Sequence, residues 1–118
     1  MTQKIVEEEW VDETTGYICN VSKVDFEFTK EMKLFYNMEG EHRCGYVTFP
    51  TEIANTIDMY DLDVHGGITW SEDNEDGTST WGFDCAHYGD SIKQWDFNAV
   101  KAEVLNLVRQ LAHYELDT

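Results

Sequence analysis

Between Cys44 and Ile92 the chain has no lysine and no arginine. Across those 49 residues it carries ten acids: Glu52, Asp58, Asp61, Asp63, Glu72, Asp73, Glu75, Asp76, Asp84 and Asp90. Over the whole chain 24 acids face 8 basic residues, a formal net charge of −16. A phosphate backbone would be repelled, so direct nucleic-acid binding is not expected. Adhesion to an anionic lipid surface is disfavoured for the same reason. Long apolar runs are missing too, so no membrane-spanning helix is expected. The first nine residues, Met1 to Glu9, lack the apolar stretch of a secretory leader, which points to a cytoplasmic protein. Cysteine is scarce: Cys19, Cys44 and Cys85 cannot all pair within one chain, so free thiols are expected. Proline occurs once, at Pro50, and no Pro- or Ser-rich linker interrupts the sequence. Residues 1–118 therefore read as one domain.

What the chain does have is enough apolar matter for a core, at 42% hydrophobic residues. Residues 4–12 read as an edge strand or a frayed end. Thr14-Thr15-Gly16 reads as a turn. Tyr17, Cys19 and Val21 alternate with Ile18 and Asn20 as one face of a strand. Val24 to Phe28 continues the alternation. Thr29 is expected to cap a short helix over residues 30–38. Cys44 to Phe49 reads as a strand stopped by Pro50. A short helix is expected within residues 51–60, then an acidic loop over 61–67. Ile68–Trp70 and Thr80–Asp84 read as strands joined by a nine-residue acidic hairpin loop, Ser71 to Ser79. At the end, Val100, Val104, Leu107, Val108 and Leu111 mark one face of an amphipathic helix with Asp96 as N-cap. The expectation is an α+β fold, a small antiparallel sheet with one long C-terminal helix packed across it.

The residues that could carry chemistry gather near the hairpin. Cys85 and His87 are two apart, which on an extended backbone turns both to one side. His65 precedes Gly66-Gly67, and if the hairpin strands pair, their outer ends bring His65 to the Cys85–His87 segment. His65, Cys85 and His87 would then form a tetrahedral zinc site with an open position, with a carboxylate or water as fourth ligand. Asp84 or Asp90 would serve as base in metal-assisted hydrolysis. No organic cofactor is expected, and zinc is the ion such a set would take. A thiolate–imidazole pair of Cys85 with His87 or His65 is a second catalytic reading, opposed by the surrounding acids, which raise a thiol pKa. The plain alternative is that Cys44 and Cys85 are small buried residues and the histidines hydrogen-bond locally. Glu72, Asn74, Asp76 and Gly77 imitate the start of a calcium loop, but the twelfth position is Phe83, so the EF-hand reading fails. Of the aromatics nearby, Trp81 and Tyr46 are expected in the core, while Trp70 and Tyr88 could line a ligand pocket or an interface.

Three segments also resemble a known group: His42-Arg43-Cys44-Gly45-Tyr46-Val47, Asp63-Val64-His65-Gly66-Gly67-Ile68-Thr69-Trp70, and Gly82-Phe83-Asp84-Cys85-Ala86-His87-Tyr88-Gly89-Asp90. They look like small uncharacterised bacteriophage and prophage proteins that share GYV, HGG-[IL]-T and FDCAH-x-GD segments. The resemblance covers about half of the chain and brings no assigned activity. Trp70 stands where that pattern has Tyr, Thr48-Phe49 precede Pro50 where smaller residues are usual, and residues 24–38 read as an insertion. The resemblance implies an inhibitor of a host or anti-phage defence protein, anti-CRISPR activity being one concrete version. Charge-complementary contact with a basic partner surface would then fall to Glu72, Asp73, Glu75 and Asp76, supported by Asp58, Asp61 and Asp63. A third reading is a ligand-sequestering module with a pocket lined by His65, Gly66, Gly67 and Trp70.

Overall fold

Alternation in the sequence becomes a sheet. A computed structural model describes residues 3–25, 41–87 and 89–116. Among these, five strands form one antiparallel sheet: β1 (Gln3–Val11), β2 (Ile18–Asp25), β3 (Glu41–Pro50), β4 (Trp70–Asp73) and β5 (Thr78–Asp84). Their spatial order is β1-β2-β3-β5-β4, so β1 and β4 are the edges. A short helix α1 (Thr51–Ala54) and a 3-10 turn (Met59–Asp61) follow β3. The long helix α2 (Phe97–Leu116) closes the chain. The expected helix over residues 30–38, and most of the 24–38 insertion, lie outside the described residues.

Period decides which face is buried. Val100, Val104, Leu107, Val108 and Leu111 of α2 are all buried, as are Cys19, Val21, Val47, Phe49, Trp81 and Phe83 of the sheet. Each fully buried aliphatic or aromatic side chain stabilises the fold by about 1.5–3 kcal/mol. A helix whose whole apolar stripe is spent this way has none left to offer a partner. Asp96 caps α2 by accepting the backbone N–H of Ala99 at 2.9 Å. Tyr17, just before β2, is buried and donates its hydroxyl to Glu115 near the end of α2 at 2.6 Å.

The hairpin departs from expectation. β4 starts at Trp70 and runs on through the acids to Asp73, so the connecting loop is Asn74–Gly77 and not Ser71–Ser79. Acidic residues have low strand propensity, but side-chain bonds outweigh it here. Asp73 accepts from the Ser79 hydroxyl at 2.8 Å, and Asn74 donates its amide to Thr78 and Thr80. The expected 51–60 helix likewise divides into α1 and the 3-10 turn, with Asp58 accepting the N–H of Tyr60.

On the other edge, β1 skips one register position between Val6 and Glu8. This bulge frees Glu7, which accepts from Arg43 Nε at 2.7 Å. The same guanidinium donates through Nη1 to the carbonyls of Ile92 and Trp95, at 3.2 and 3.1 Å. Arg43 thus fastens the segment before α2 to the sheet, and that segment carries Trp95 to the site described next.

Candidate functional site

The loop after the 3-10 turn is tied to α2 by its backbone. Gln110 accepts the N–H of Asp63, and Asn106 and Gln110 both donate to the Asp63 carbonyl. Leu62 and Val64 point into the core. His65 comes next, half-buried, with its ring tilted over the Trp95 indole at 4.2 Å between centroids. From the other direction, β5 ends at Asp84 and the chain bends. Asp84 accepts the N–H of Ala86, and the Asp90 N–H bonds the carbonyl of His87 to close a turn.

His65, His87 and Asp90 meet there, with donor atoms all within 4.8 Å of one another. The His65 Nε2 lies 2.9 Å from both oxygens of Asp90. The His87 Nδ1 lies 3.3 Å from Asp90 Oδ2, which also accepts the backbone N–H of His87 at 2.9 Å. Side-chain exposures are 26% for His65, 37% for His87 and only 8% for Asp90. Burial would raise the Asp90 carboxyl, but the hydrogen bonds from His65 and from the His87 N–H outweigh it and hold the group below the usual carboxylate range. Gly66 makes the approach of His87 feasible: a Cβ there would stand 2.2 Å from His87 Cε1.

Cys85 is not part of this group. Strand geometry stops at Asp84, so the two-residue alternation assumed for Cys85 and His87 does not apply. The Cys85 thiol packs in the hydrophobic core while His87 reaches out to Asp90. Burial, reinforced by the negative charge of Asp90, pushes that thiol up to about 12. A protonated core thiol does not suit the thiolate–imidazole reading, which the surrounding acids already oppose. Asp84 stands at the margin, 3.6 Å from His87 Nδ1. Trp95 carried no signal in the sequence beyond being aromatic, and its ring is nonetheless the wall behind His65.

Of the residues expected to line a pocket, His65, Gly66, Gly67 and Trp70, one borders a groove of the structure. This groove, of about 370 Å³, is lined by His42, Cys44, Tyr46, Trp70 and Asp84 among others. It includes Trp70 but none of the other three. Burial lowers the His42 pKa, against an opposing pull from Asp84. Trp81 is buried as expected, Tyr46 only partly, and Tyr88 is outside the described residues.

The acids of the hairpin divide into two kinds. Asp73 and Asp76 work for the fold: Asp73 holds Ser79, and Asp76 accepts from both the N–H and the hydroxyl of Thr78, which keeps its carboxyl below the usual range. Glu72 and Glu75 are exposed, and neither has a hydrogen-bond or ion-pair partner among the described residues. Asp58, Asp61 and Asp63 are exposed on the segment around the 3-10 turn.

Comparison with protein-family models, with curated proteins and with solved structures gives no match. Among the described residues no helix is long and apolar enough to cross a membrane.

Proposed function

We propose that this chain is a binding protein whose β4 edge docks on a basic protein surface. The observation that carries the proposal is the character of that edge. β4 is exposed at all four positions, one side of its backbone has no neighbouring strand among the described residues, and Trp70 at its start is 52% exposed. On the same hairpin, Glu72 lies two residues along β4 and Glu75 in the Asn74–Gly77 loop, and neither has a hydrogen-bond or ion-pair partner among the described residues. An exposed aromatic with solvated acids on the same hairpin has the residue types of an interface centre and its rim. An open strand edge adds main-chain hydrogen bonds to a partner. Acids without nearby cations speed encounter with a basic surface and penalise acidic ones.

The basic groups that are tied up lie toward the other edge. Arg43, Lys23 and Lys101 pair with Glu7, Glu41 and Glu8, and Lys4 sits over the Tyr46 ring at 4.1 Å. The partner class that fits is a basic host or anti-phage defence protein. Inhibition of a CRISPR effector by covering its nucleic-acid channel is the most specific form of the proposal.

Affinity capture from a bacterial lysate at low and high salt is the test, with wild-type bait set against Glu72→Lys/Glu75→Lys. A basic protein held by the wild type at low salt, and lost with the double reversal, supports the proposal. Capture indifferent to both salt and reversal removes it. Reversing Asp73 or Asp76 would be a poorer test, because either change also loosens the hairpin.

A further inference from the structure

The geometry points to a divalent-metal site built from His65, His87 and Asp90, with the Cys85 thiol excluded. Two imidazoles and a carboxylate form a donor set suited to zinc and neighbouring first-row ions. Ligand atoms about 2.0–2.1 Å from a tetrahedral zinc stand roughly 3.3 Å apart. Here the carboxylate oxygens are 2.9 Å from one imidazole nitrogen and 3.3 Å from the other. All three donor atoms lie within 4.8 Å of one another, near enough for one ion to draw them together.

The three groups are also held from behind, as ligands need to be. The Trp95 ring backs His65 at 4.2 Å. The His87 ring lies against the bare Cα of Gly66, and no other residue type leaves that space. The backbone N–H of His87 fixes the Asp90 carboxylate. Charge favours a cation as well. Asp90 is nearly buried, no lysine or arginine pairs with it among the described residues, and the stretch from Cys44 to Ile92 supplies none. A buried carboxylate is stabilised by a metal ion more than by neighbouring rings. His65 and His87 remain part-exposed, so one side of the ion would face solvent and take water or an exogenous ligand. Three protein ligands with one open position is the arrangement of reactive zinc sites, not of purely structural ones.

The site is independent of the β4 edge, and its test does not depend on a partner. Chelator-treated full-length protein is titrated with Zn²⁺ by calorimetry, and with Co²⁺ by visible absorption. One ion per chain is expected, with d–d bands of four-coordinate nitrogen–oxygen ligation and without the near-ultraviolet thiolate band that Cys85 ligation would add. Asp90→Asn and His87→Gln, each checked for native circular dichroism, should weaken Zn²⁺ by more than about 100-fold, beyond the loss usual for second-layer groups. Cys85→Ala should bind as the wild type does. Wild-type protein that takes up no Zn²⁺ at millimolar concentration overturns the site and leaves a hydrogen-bonded latch between two loops. A thiolate band, or unchanged affinity in folded Asp90→Asn, overturns the ligand assignment.

Discussion

The β4–β5 hairpin and the turn at Asp90 both belong to the stretch without lysine or arginine, yet they deal with negative charge in opposite ways. The hairpin spreads its carboxylates. Asp73 and Asp76, though exposed, accept hydrogen bonds from hydroxyls and a backbone N–H, while Glu72 and Glu75 are left to water. The turn gathers instead: two imidazoles and a backbone N–H converge on one nearly buried carboxylate. The hairpin is much the more conspicuous in the sequence. Only the turn arranges its groups around a common point, and convergence, not charge density, is what chemistry requires.

The sharpest way to break that contrast is at the paired glycines. Gly66 and Gly67 both have positive φ, 71° and 78°. An alanine at Gly67 meets nothing within 4 Å, whereas one at Gly66 collides with the His87 ring. Gly67→Ala should therefore cost only the left-handed backbone penalty, about 1 kcal/mol. Gly66→Ala adds displacement of a packed ring and should cost about 3 kcal/mol in all. Urea unfolding of the two variants measures the difference. Equal losses would mean that the His87 ring is not seated on Gly66.

The next effect comes from Arg43, which joins the β1 bulge to the wall of the turn. Arg43→Met should destabilise by about 2 kcal/mol, because it removes the donor to the Trp95 carbonyl and leaves Glu7 without its guanidinium. The Trp95 indole resonance should shift in the same variant while that of Trp70, at the far edge, stays put. Matching shifts in both would mean that the two regions are mechanically coupled.

Much of the frame was legible because it follows from period. The α2 stripe, its Asp96 cap and the Tyr17–Cys19–Val21 face all follow from spacing alone, and burial is where that spacing says. The site was legible only in part. His65, His87 and Asp90 could be named as chemical types, but Cys85 was grouped with them on the assumption that extended backbone continues past Asp84. Nothing in a string of residues marks where a strand ends when the residues beyond it are equally small and apolar. β4 was misjudged for the converse reason: its acids resist strand formation in isolation, and hydroxyls on β5 supply the compensation. Gly66-Gly67 marks a place of unusual dihedrals or close approach, and Gly66 has both, but spacing does not say which ring approaches.

The thiols sharpen the division between core and site. Burial pushes Cys19 and Cys85 up to about 12 and Cys44 to about 11, against an ordinary 9.0. A disulfide reagent at pH 8 should find essentially no fast thiol in the native protein and three after denaturation. Between pH 9 and the folded-state values, the unfolded chain ionises its thiols while the native chain does not. The unfolded state then binds fewer protons, so stability falls as pH rises, by on the order of 1 kcal/mol per pH unit for each thiol fully buried in this way. A fast native thiol lost in Cys85→Ala would move that sulfur from the core back toward the turn.

The smallest effect tests the hairpin itself. Glu72→Lys/Glu75→Lys removes no hydrogen bond, so its melting temperature should match the wild type or rise slightly as repulsion with Asp73 and Asp76 is relieved. Asp76→Ala deletes the acceptor for two Thr78 donors and should melt lower than the double reversal. Added salt should raise the wild-type melting temperature more than that of the reversed variant, since only the wild type has an unrelieved acidic tip to screen. If the double reversal instead destabilises as much as Asp76→Ala, those glutamates have a task in the fold. Loss of partner binding in that variant could then not be credited to an interface. If it does not, any binding it loses belongs to the surface of the hairpin and not to its folding.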